Sequence, residues 1–176
     1  MKNFSIAAVL FLIIYSCSSD EKKMSNLEYN SDTQLYNAAM SYLKTQEFGE
    51  AIEKFTELEI QYPYSDWSAR GQMLTGFAHY SSKEYDEAIL ALAKFVELNP
   101  DHPLVPYAIF LKAYSYYERI PDIELDQEFS SKALENFLEL TNRYPKSKYT
   151  KKSFQIIKIL RNHLASKELL VGKFYQ

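Results

Sequence analysis

The sequence predicts an all-α protein in which antiparallel helix pairs stack in tandem as a solenoid. The chain of 176 residues is 47% hydrophobic but contains only 4 glycines, which suits one helical domain of middling size. Three segments share one pattern: a Glu-aromatic opening, an Ala, an apolar-periodic run and a final Pro. They are residues 47–63, 84–100 and 128–145. The Ala and the Pro are 12 residues apart in each copy, and a fixed internal distance is typical of repeat proteins.

A second helix, termed helix A, precedes each of these segments, which are termed helix B. Its small residues are spaced 37 apart, at Ala39, Gly76 and Ala113. A small residue lets a neighbouring helix come close, and the Pro cannot continue helix B. Helix A contributes the small residue and the aromatic residue, and helix B contributes the Ala and the Pro. This order resembles the tetratricopeptide (TPR) pattern, a helix–turn–helix unit. The expected architecture is therefore a TPR-like α-solenoid of about three full repeats plus a long final helix.

The individual helices follow from the same pattern. They are predicted at residues 33–45 and 49–61 (repeat one), 66–82 and 86–98 (repeat two), and 103–119 and 126–143 (repeat three). Repeat three has eight extra residues between its helices. They fall in residues 120–127, where Pro121, Asp122 and Asp126 indicate a loop.

The last helix is predicted over residues 149–176. Gly172 and Tyr175 reproduce the small-then-aromatic spacing of helix A, and the expected helix B would lie beyond Gln176. Without that helix B, apolar residues near the end of the last helix would remain partly exposed to solvent. An exposed apolar stripe of this kind usually marks an interface. The alternative is that the sequence is a shortened version of a longer one.

The amino-terminal region predicts export and lipidation. Residues 1–16 are predicted as a lipoprotein signal peptide, since Lys2 precedes a short apolar run that ends at the single cysteine, Cys17. Cys17 is the predicted lipidation site and membrane anchor. Residues 17–32 are the predicted flexible tether, and residues 33–176 the TPR-like domain. An ordinary secretory signal with an incidental Cys is the alternative.

The sequence contains no catalytic or metal-binding motif, so no enzyme activity and no cofactor are predicted. His79 occupies a packing position of helix A, His102 is expected to be solvated in a turn, and His163 belongs to no ligand set. The net charge of −3 provides no bulk attraction to nucleic acid, which is excluded as a partner. A single Cys excludes an internal disulfide.

Helix A of each repeat is expected to line the concave side of the solenoid. The side chains expected to face inward are, in chain order, Tyr36, Met40, Leu43, Lys44, Arg70, Met73, Phe77, Tyr80, Tyr107, Phe110, Tyr114 and Tyr117. The spacing within each repeat places its members on one helix face. This predicts an aromatic and Met-rich groove, with Lys44 and Arg70 as its cations, for an extended apolar peptide with an aromatic end.

A different register stays open for this groove. Gln72, Thr75 and Lys112 are polar at positions where the repeat expects core residues. If helix A of repeats two and three is shifted by one residue, several of the aromatic side chains are core residues instead.

Several motifs together resemble one family over essentially the whole chain. They are the lipobox Cys, Leu35-Tyr36, Tyr62-Pro63-Tyr64-Ser65, residues 113–117 with the acidic insertion after them, residues 161–168 and residues 172–175. This combination is similar to the BamD family, the TPR lipoproteins of the outer-membrane β-barrel assembly machine. The insertion resembles α-proteobacterial members.

The resemblance implies a lipid-anchored, non-enzymatic component at the periplasmic face of the outer membrane. Its implied partners are the periplasmic domains of a BamA-like barrel subunit, other Bam lipoproteins, and the C-terminal segments of unfolded β-barrel proteins. The predicted partner interface contains Arg161, Leu169, Leu170 and Phe174. The alternative function is a TPR envelope lipoprotein that scaffolds a peptidoglycan or cell-division enzyme.

Overall fold

The computed structural model describes residues 31–120 and 127–174, apart from the side chains of residues 167 and 170–172. Cys17, the predicted signal peptide and nearly all of the predicted tether lie outside the described residues, as does most of the acidic insertion. Those predictions therefore stay predictions. None of the helices in the described part is both long enough and apolar enough to cross a lipid bilayer.

The described part of the chain consists of seven α-helices and contains no strand, which confirms the predicted all-α fold. The helices are α1 (Asp32–Thr45), α2 (Phe48–Gln61), α3 (Asp66–Ser81), α4 (Tyr85–Leu98), α5 (Val105–Glu118), α6 (Glu128–Arg143) and α7 (Lys148–Phe174). Helices α1, α3 and α5 are the helices A of the three repeats, and α2, α4 and α6 are their helices B.

The start of α5 differs from the prediction. The helix begins at Val105 rather than at residue 103, because the preceding residues form a turn in which the Val105 amide donates to the His102 carbonyl at 2.9 Å. Pro106 then occupies the first turn of the helix, where its missing N–H costs nothing.

The connections between helices repeat their backbone geometry. Gln46 and Lys83, which lie in the turns after helix A of repeats one and two, both have a φ of 65°. At the end of helix B, the residue before the proline has nearly the same φ in each repeat: −133° for Tyr62, −131° for Asn99 and −130° for Tyr144. The internal repeat in the sequence is therefore a repeat of local backbone conformation.

The packing of the helices gives the stack a curvature. Each helix packs against its neighbours in sequence, and α1, α3, α5 and α7 also pack directly on one another, whereas α2, α4 and α6 do not. On the α2/α4 side, long side chains bridge the gap, as between Lys94 Nζ and Glu59 Oε1 at 2.6 Å. Because the odd-numbered helices are closer together, they form the inner side of the curve.

The small residues of the pattern lie where the helices touch. Ala39, Ala51, Ala88, Ala113 and Ala133 are all fully buried. The side chain four residues after the helix-B Ala fills the space beside them: Phe55, Leu92 or Phe137, each at most 1% exposed. These contacts hold each repeat together and leave the opposite face of helix A open.

Candidate functional site

A row of aromatic side chains runs along the inner side of the stack, across α3, α5 and α7. We term it the aromatic strip, and it consists of Tyr80, Tyr107, Phe110, Tyr114, Tyr117 and Tyr149. All six side chains are half-buried, so one part of each ring packs on the protein and another part faces solvent.

The rings of the strip contact one another from helix to helix. Tyr80 of α3 lies edge-on to Tyr114 of α5, with 6.2 Å between ring centroids. Tyr107 of α5 stacks on Tyr149 of α7 at 4.9 Å, and Phe110 lies 5.4 Å from the same ring. Contacts of this kind hold aromatic rings in fixed positions at little cost in side-chain entropy. The strip is therefore a preformed apolar surface.

The amino-terminal half of the inner side carries a smaller aromatic group. The rings of Tyr36 in α1 and Trp67 in α3 lie 4.6 Å apart, and the Arg70 guanidinium lies 5.0 Å from the centre of the Trp67 ring. Burial raises the pKa of Tyr36, and the Arg70 charge opposes that shift. The Arg70 cation thus lies beside aromatic rings at this end of the inner surface.

Of the predicted groove residues, the structure places one in the core. Met73 is 1% exposed and packs with Leu92, Phe95 and Ile109, so it does not line the groove. It belongs to the interior because α4 and α5 close over that side of α3. Lys44 and Arg70 are exposed, and Tyr36, Met40, Leu43 and Phe77 are half-buried, as are the predicted residues of the aromatic strip.

The two predicted cations do not lie together. The Ser65 hydroxyl, at the start of α3, donates to the Asp32 carboxylate at the start of α1 at 2.5 Å, so the two helices run parallel from a common level. Lys44 is in the last turn of α1 and Arg70 in the second turn of α3. At 1.5 Å per residue, their positions along the helix axes differ by about 12 Å.

Gln72, Thr75 and Lys112 are the polar residues that allowed a one-residue shift in the register of helix A. Each of them has specific contacts or neighbouring charges in the structure. Gln72 Oε1 accepts a hydrogen bond from the Asn99 amide at 2.8 Å, and the Thr75 hydroxyl donates to the Gly71 carbonyl. Lys112 is half-buried, and burial lowers its pKa although Glu139 and Glu135 oppose the shift. All three are accommodated without moving the aromatic side chains into the core.

The phenols of the strip lie in a weakly hydrated, negatively charged setting. Burial raises the pKa of Tyr80 to about 12, with smaller contributions from the Glu118 carboxylate and from nearby phenols. Burial and Glu118 also raise the pKa of Tyr114. Glu118 follows Tyr114 by one helical turn, so both lie on one face of α5. The strip therefore ends at a carboxylate.

The residues of the predicted partner interface lie on α7, near its end. Arg161 is exposed, as are Leu169 (61%) and Phe174 (84%). The side chain of Leu170 lies outside the described residues. At 100° per residue, Phe174 lies about 140° around the helix from Leu169. These residues therefore do not form a single narrow stripe.

The histidines have local structural contacts. His79 Nδ1 lies 2.7 Å from Glu84 Oε2, and His163 Nδ1 lies 3.0 Å from the Ser130 hydroxyl. The prediction that His102 is solvated is wrong. Its ring is half-buried edge-on against Phe95, and its Nδ1 accepts from the Leu104 amide at 3.1 Å. Within the described ranges, no group of three or more potential ligand residues could hold a metal ion.

Sequence reasoning missed three residues of the inner surface. Tyr149 lies in the first turn of α7, outside the repeats used to assign the groove, and Trp67 lies one turn before Arg70. Glu118 was not assigned because the TPR pattern marks apolar positions. Its spacing of four from Tyr114 is the signal that could have found it.

Comparison with known proteins places the chain among envelope proteins. A family model described as "YfiO: Outer membrane lipoprotein" matches residues 28–176. The "Outer membrane protein assembly factor BamD" of Caulobacter vibrioides is 35% identical over 97% of this chain and 57% of its own length. The protein of the same name in Rickettsia prowazekii is 30% identical over 99% of this chain and 68% of its own length.

A solved structure is similar in fold. MamA from Desulfovibrio magneticus RS-1 superposes with a TM-score of 0.54 at 16% identity, over 82% of this chain and 77% of that one. This similarity supports the TPR-like stacking of helix pairs and says nothing about function. The chain spans little more than half the length of the Caulobacter relative, at 57%.

Proposed function

Because this chain belongs to the YfiO family of outer membrane lipoproteins, we propose that it is a non-enzymatic component of the outer-membrane β-barrel assembly machine. In this role it binds unfolded outer-membrane proteins on its inner surface and presents them to a BamA-like barrel subunit. Lipid on Cys17 holds it at the periplasmic face of the outer membrane. It works together with other lipoproteins of the same machine.

The observation that carries this proposal is the aromatic strip. In a β-barrel strand, apolar or aromatic side chains alternate with polar ones. While the strand is unfolded, these apolar side chains need a surface that buries them without requiring one particular sequence. Half-buried tyrosines supply large contact area with few rotatable bonds, and their hydroxyl groups accept or donate hydrogen bonds to an extended backbone. The inner side of a helical solenoid is a suitable place for an extended peptide.

The test is the binding of short synthetic peptides to the full chain, measured by fluorescence anisotropy. A peptide that ends in Phe should bind more tightly than the same peptide ending in Ala. The variants Tyr80→Ala and Tyr114→Ala should each weaken binding roughly fivefold to thirtyfold, since each removes an anchor worth about 1–2 kcal/mol.

The matched controls remove large apolar side chains from the opposite side of the molecule. Ile60, on α2, is 75% exposed, and Leu90, on α4, is 71% exposed. Ile60→Ala and Leu90→Ala should leave peptide affinity unchanged, with circular dichroism confirming that all four variants keep their helices. Equal weakening by all four variants would contradict binding at the strip.

The partner is tested by affinity purification of the full-length protein from solubilised outer membranes. Recovery of the BamA-like barrel subunit is the expected result. Recovery of murein-processing or division enzymes without that subunit would instead support the role of a scaffold in envelope maintenance.

A further inference from the structure

Glu118 lies at the point where the aromatic strip ends. It is in the last turn of α5, one turn after Tyr114, and its side chain is exposed. The spacing of four residues places Glu118 on the same face of α5 as Tyr114, whose ring lies 6.2 Å from that of Tyr80. In keeping with this, the Glu118 charge raises the pKa of both phenols. The negative end of the α5 dipole adds to the same local potential.

The carboxylate of Glu118 makes no hydrogen bond or ion pair with any described residue. The adjacent cation, Arg119, is occupied elsewhere: it pairs with Asp86 of α4, and its guanidinium lies 4.7 Å from the centre of the Phe129 ring. His163, which lines the same cleft as Glu118, has its Nδ1 3.0 Å from the Ser130 hydroxyl. Glu118 is thus an exposed negative charge beside aromatic rings.

A cleft opens next to this carboxylate, between the end of α5 and the middle of α7. Its volume is about 320 Å³, and its lining residues are Tyr117, Glu118, Ile120, Ile159, Leu160 and His163. Ile120, Ile159 and Leu160 give this cleft apolar walls, and Glu118 is part of its lining. Tyr117 borders both the cleft and the strip, with its ring 5.6 Å from that of Tyr114.

Aromatic faces beside a carboxylate are the surroundings that a Lys or Arg side chain prefers. The ring quadrupoles attract the cation, the carboxylate neutralises it, and apolar walls cover its methylene stem. We propose that Tyr80, Tyr114, Tyr117 and Glu118 form a subsite for one basic side chain of the bound polypeptide. The groove therefore selects an extended segment in which a cation lies at a defined distance from the apolar residues. This inference rests on the proposed function.

The experiment uses short peptides that end in Phe and carry a single Arg, which is moved through the other positions in turn. A parallel series has citrulline, the neutral isostere, in place of Arg. We expect one position, or two neighbouring ones, at which the Arg peptide binds the full chain roughly threefold to tenfold more tightly than its citrulline partner. That preference should fall as salt concentration rises.

The deciding variant is Glu118→Gln, which preserves shape and removes the charge. It should abolish the preference for Arg while leaving the affinity of the citrulline peptides unchanged. The matched control is Glu97→Gln, which removes an exposed carboxylate from α4 and should keep the preference. Tyr114→Phe, which retains the ring, should also keep it.

The outcomes separate this inference from the proposed function. If Arg and citrulline peptides bind equally well at every position, the basic subsite is wrong and the peptide groove stands. If Glu118→Gln weakens both series equally, Glu118 supports the fold of the groove and not a cation, which also overturns the subsite. If no peptide of either series binds, the proposed function fails as well.

Discussion

Gly76 of α3 lies directly against the buried side chain of Leu92 in α4. A Cβ atom added at Gly76 would come within 2.5 Å of Leu92 Cγ and 2.6 Å of its Cδ2, which is closer than carbon atoms can approach. The other two repeats have Ala on helix A and Phe at the position of Leu92. In repeat two, the contact between helix A and helix B is therefore made by Gly in place of Ala and by Leu in place of Phe.

We expect Gly76→Ala to destabilise the protein by up to about 2 kcal/mol. Overpacking a buried contact costs about 1–3 kcal/mol, and the gain of about 1 kcal/mol in helix propensity offsets only part of it. The measurement is chemical denaturation followed by circular dichroism. Gly49→Ala is the control, because a Cβ at Gly49 meets nothing within 4 Å. It should be neutral or stabilise by up to about 1 kcal/mol. Equal effects of the two substitutions would show that the Gly76 contact is not tight.

Ser68 is a second position where a small substitution has a clear expected sign. Its side chain is 1% exposed, and its hydroxyl oxygen has no hydrogen-bond partner in the described part of the chain. Ser68→Ala should stabilise the protein by about 1–2 kcal/mol, because an unpaired buried hydroxyl is removed.

The comparison for that prediction is Ser115→Ala. Ser115 is equally buried, but its hydroxyl donates to the Leu111 carbonyl at 2.9 Å. The free energy of unfolding of Ser115→Ala should therefore be about 1 kcal/mol lower than that of Ser68→Ala. Thermal unfolding of both variants in parallel measures the difference, and the reverse order would contradict the assignment of Ser68 as unpaired.

The alkaline titration of Tyr80 tests the packing of the aromatic strip. Its pKa of about 12 is raised by burial and by Glu118. Since an unfolded tyrosine has a pKa of about 10, the neutral phenol stabilises the fold fully below about pH 10. That contribution is lost as the pH rises toward 12. Ultraviolet absorbance of tyrosinate should show a late-titrating phenol that Tyr80→Phe removes.

The control for the Tyr80 titration is Tyr64→Phe, which removes a fully exposed phenol. The late phase should persist in that variant. If Tyr80→Phe leaves the late phase unchanged, Tyr80 is not enclosed by the other rings in the way the structure shows.

The predicted lipid anchor is tested by Cys17→Ala. Loss of the acylated residue should release the protein from membranes, because acyl chains contribute about 0.8 kcal/mol per buried CH₂ group and the described helices contain no span. Sedimentation with outer-membrane vesicles measures this. Ser18→Ala, next to the anchor, is the control and should remain bound. Continued sedimentation of Cys17→Ala would mean that lipid is not the sole anchor.

Local sequence determined the helices and their order. The Ala-to-Pro distance and the period of 37 residues are properties of single helices and their turns, so the pattern predicted α1 to α4 to within one residue at each end. The start of α5 was misplaced by two residues because the turn at Asp101–Leu104 depends on contacts of His102 with the Phe95 ring. The inner position of most of the predicted aromatic residues also followed from helical spacing.

Tertiary structure decided which side chains the inner surface contains. Met73 and Tyr80 both lie on α3 in the predicted set, but α4 and α5 close over Met73, whereas Tyr80 faces Tyr114. The separation of Lys44 from Arg70 and the contact of Tyr80 with Tyr114 depend on how the helices are offset and inclined. Those offsets arise from contacts between residues distant in sequence, and a repeat pattern contains no information about them.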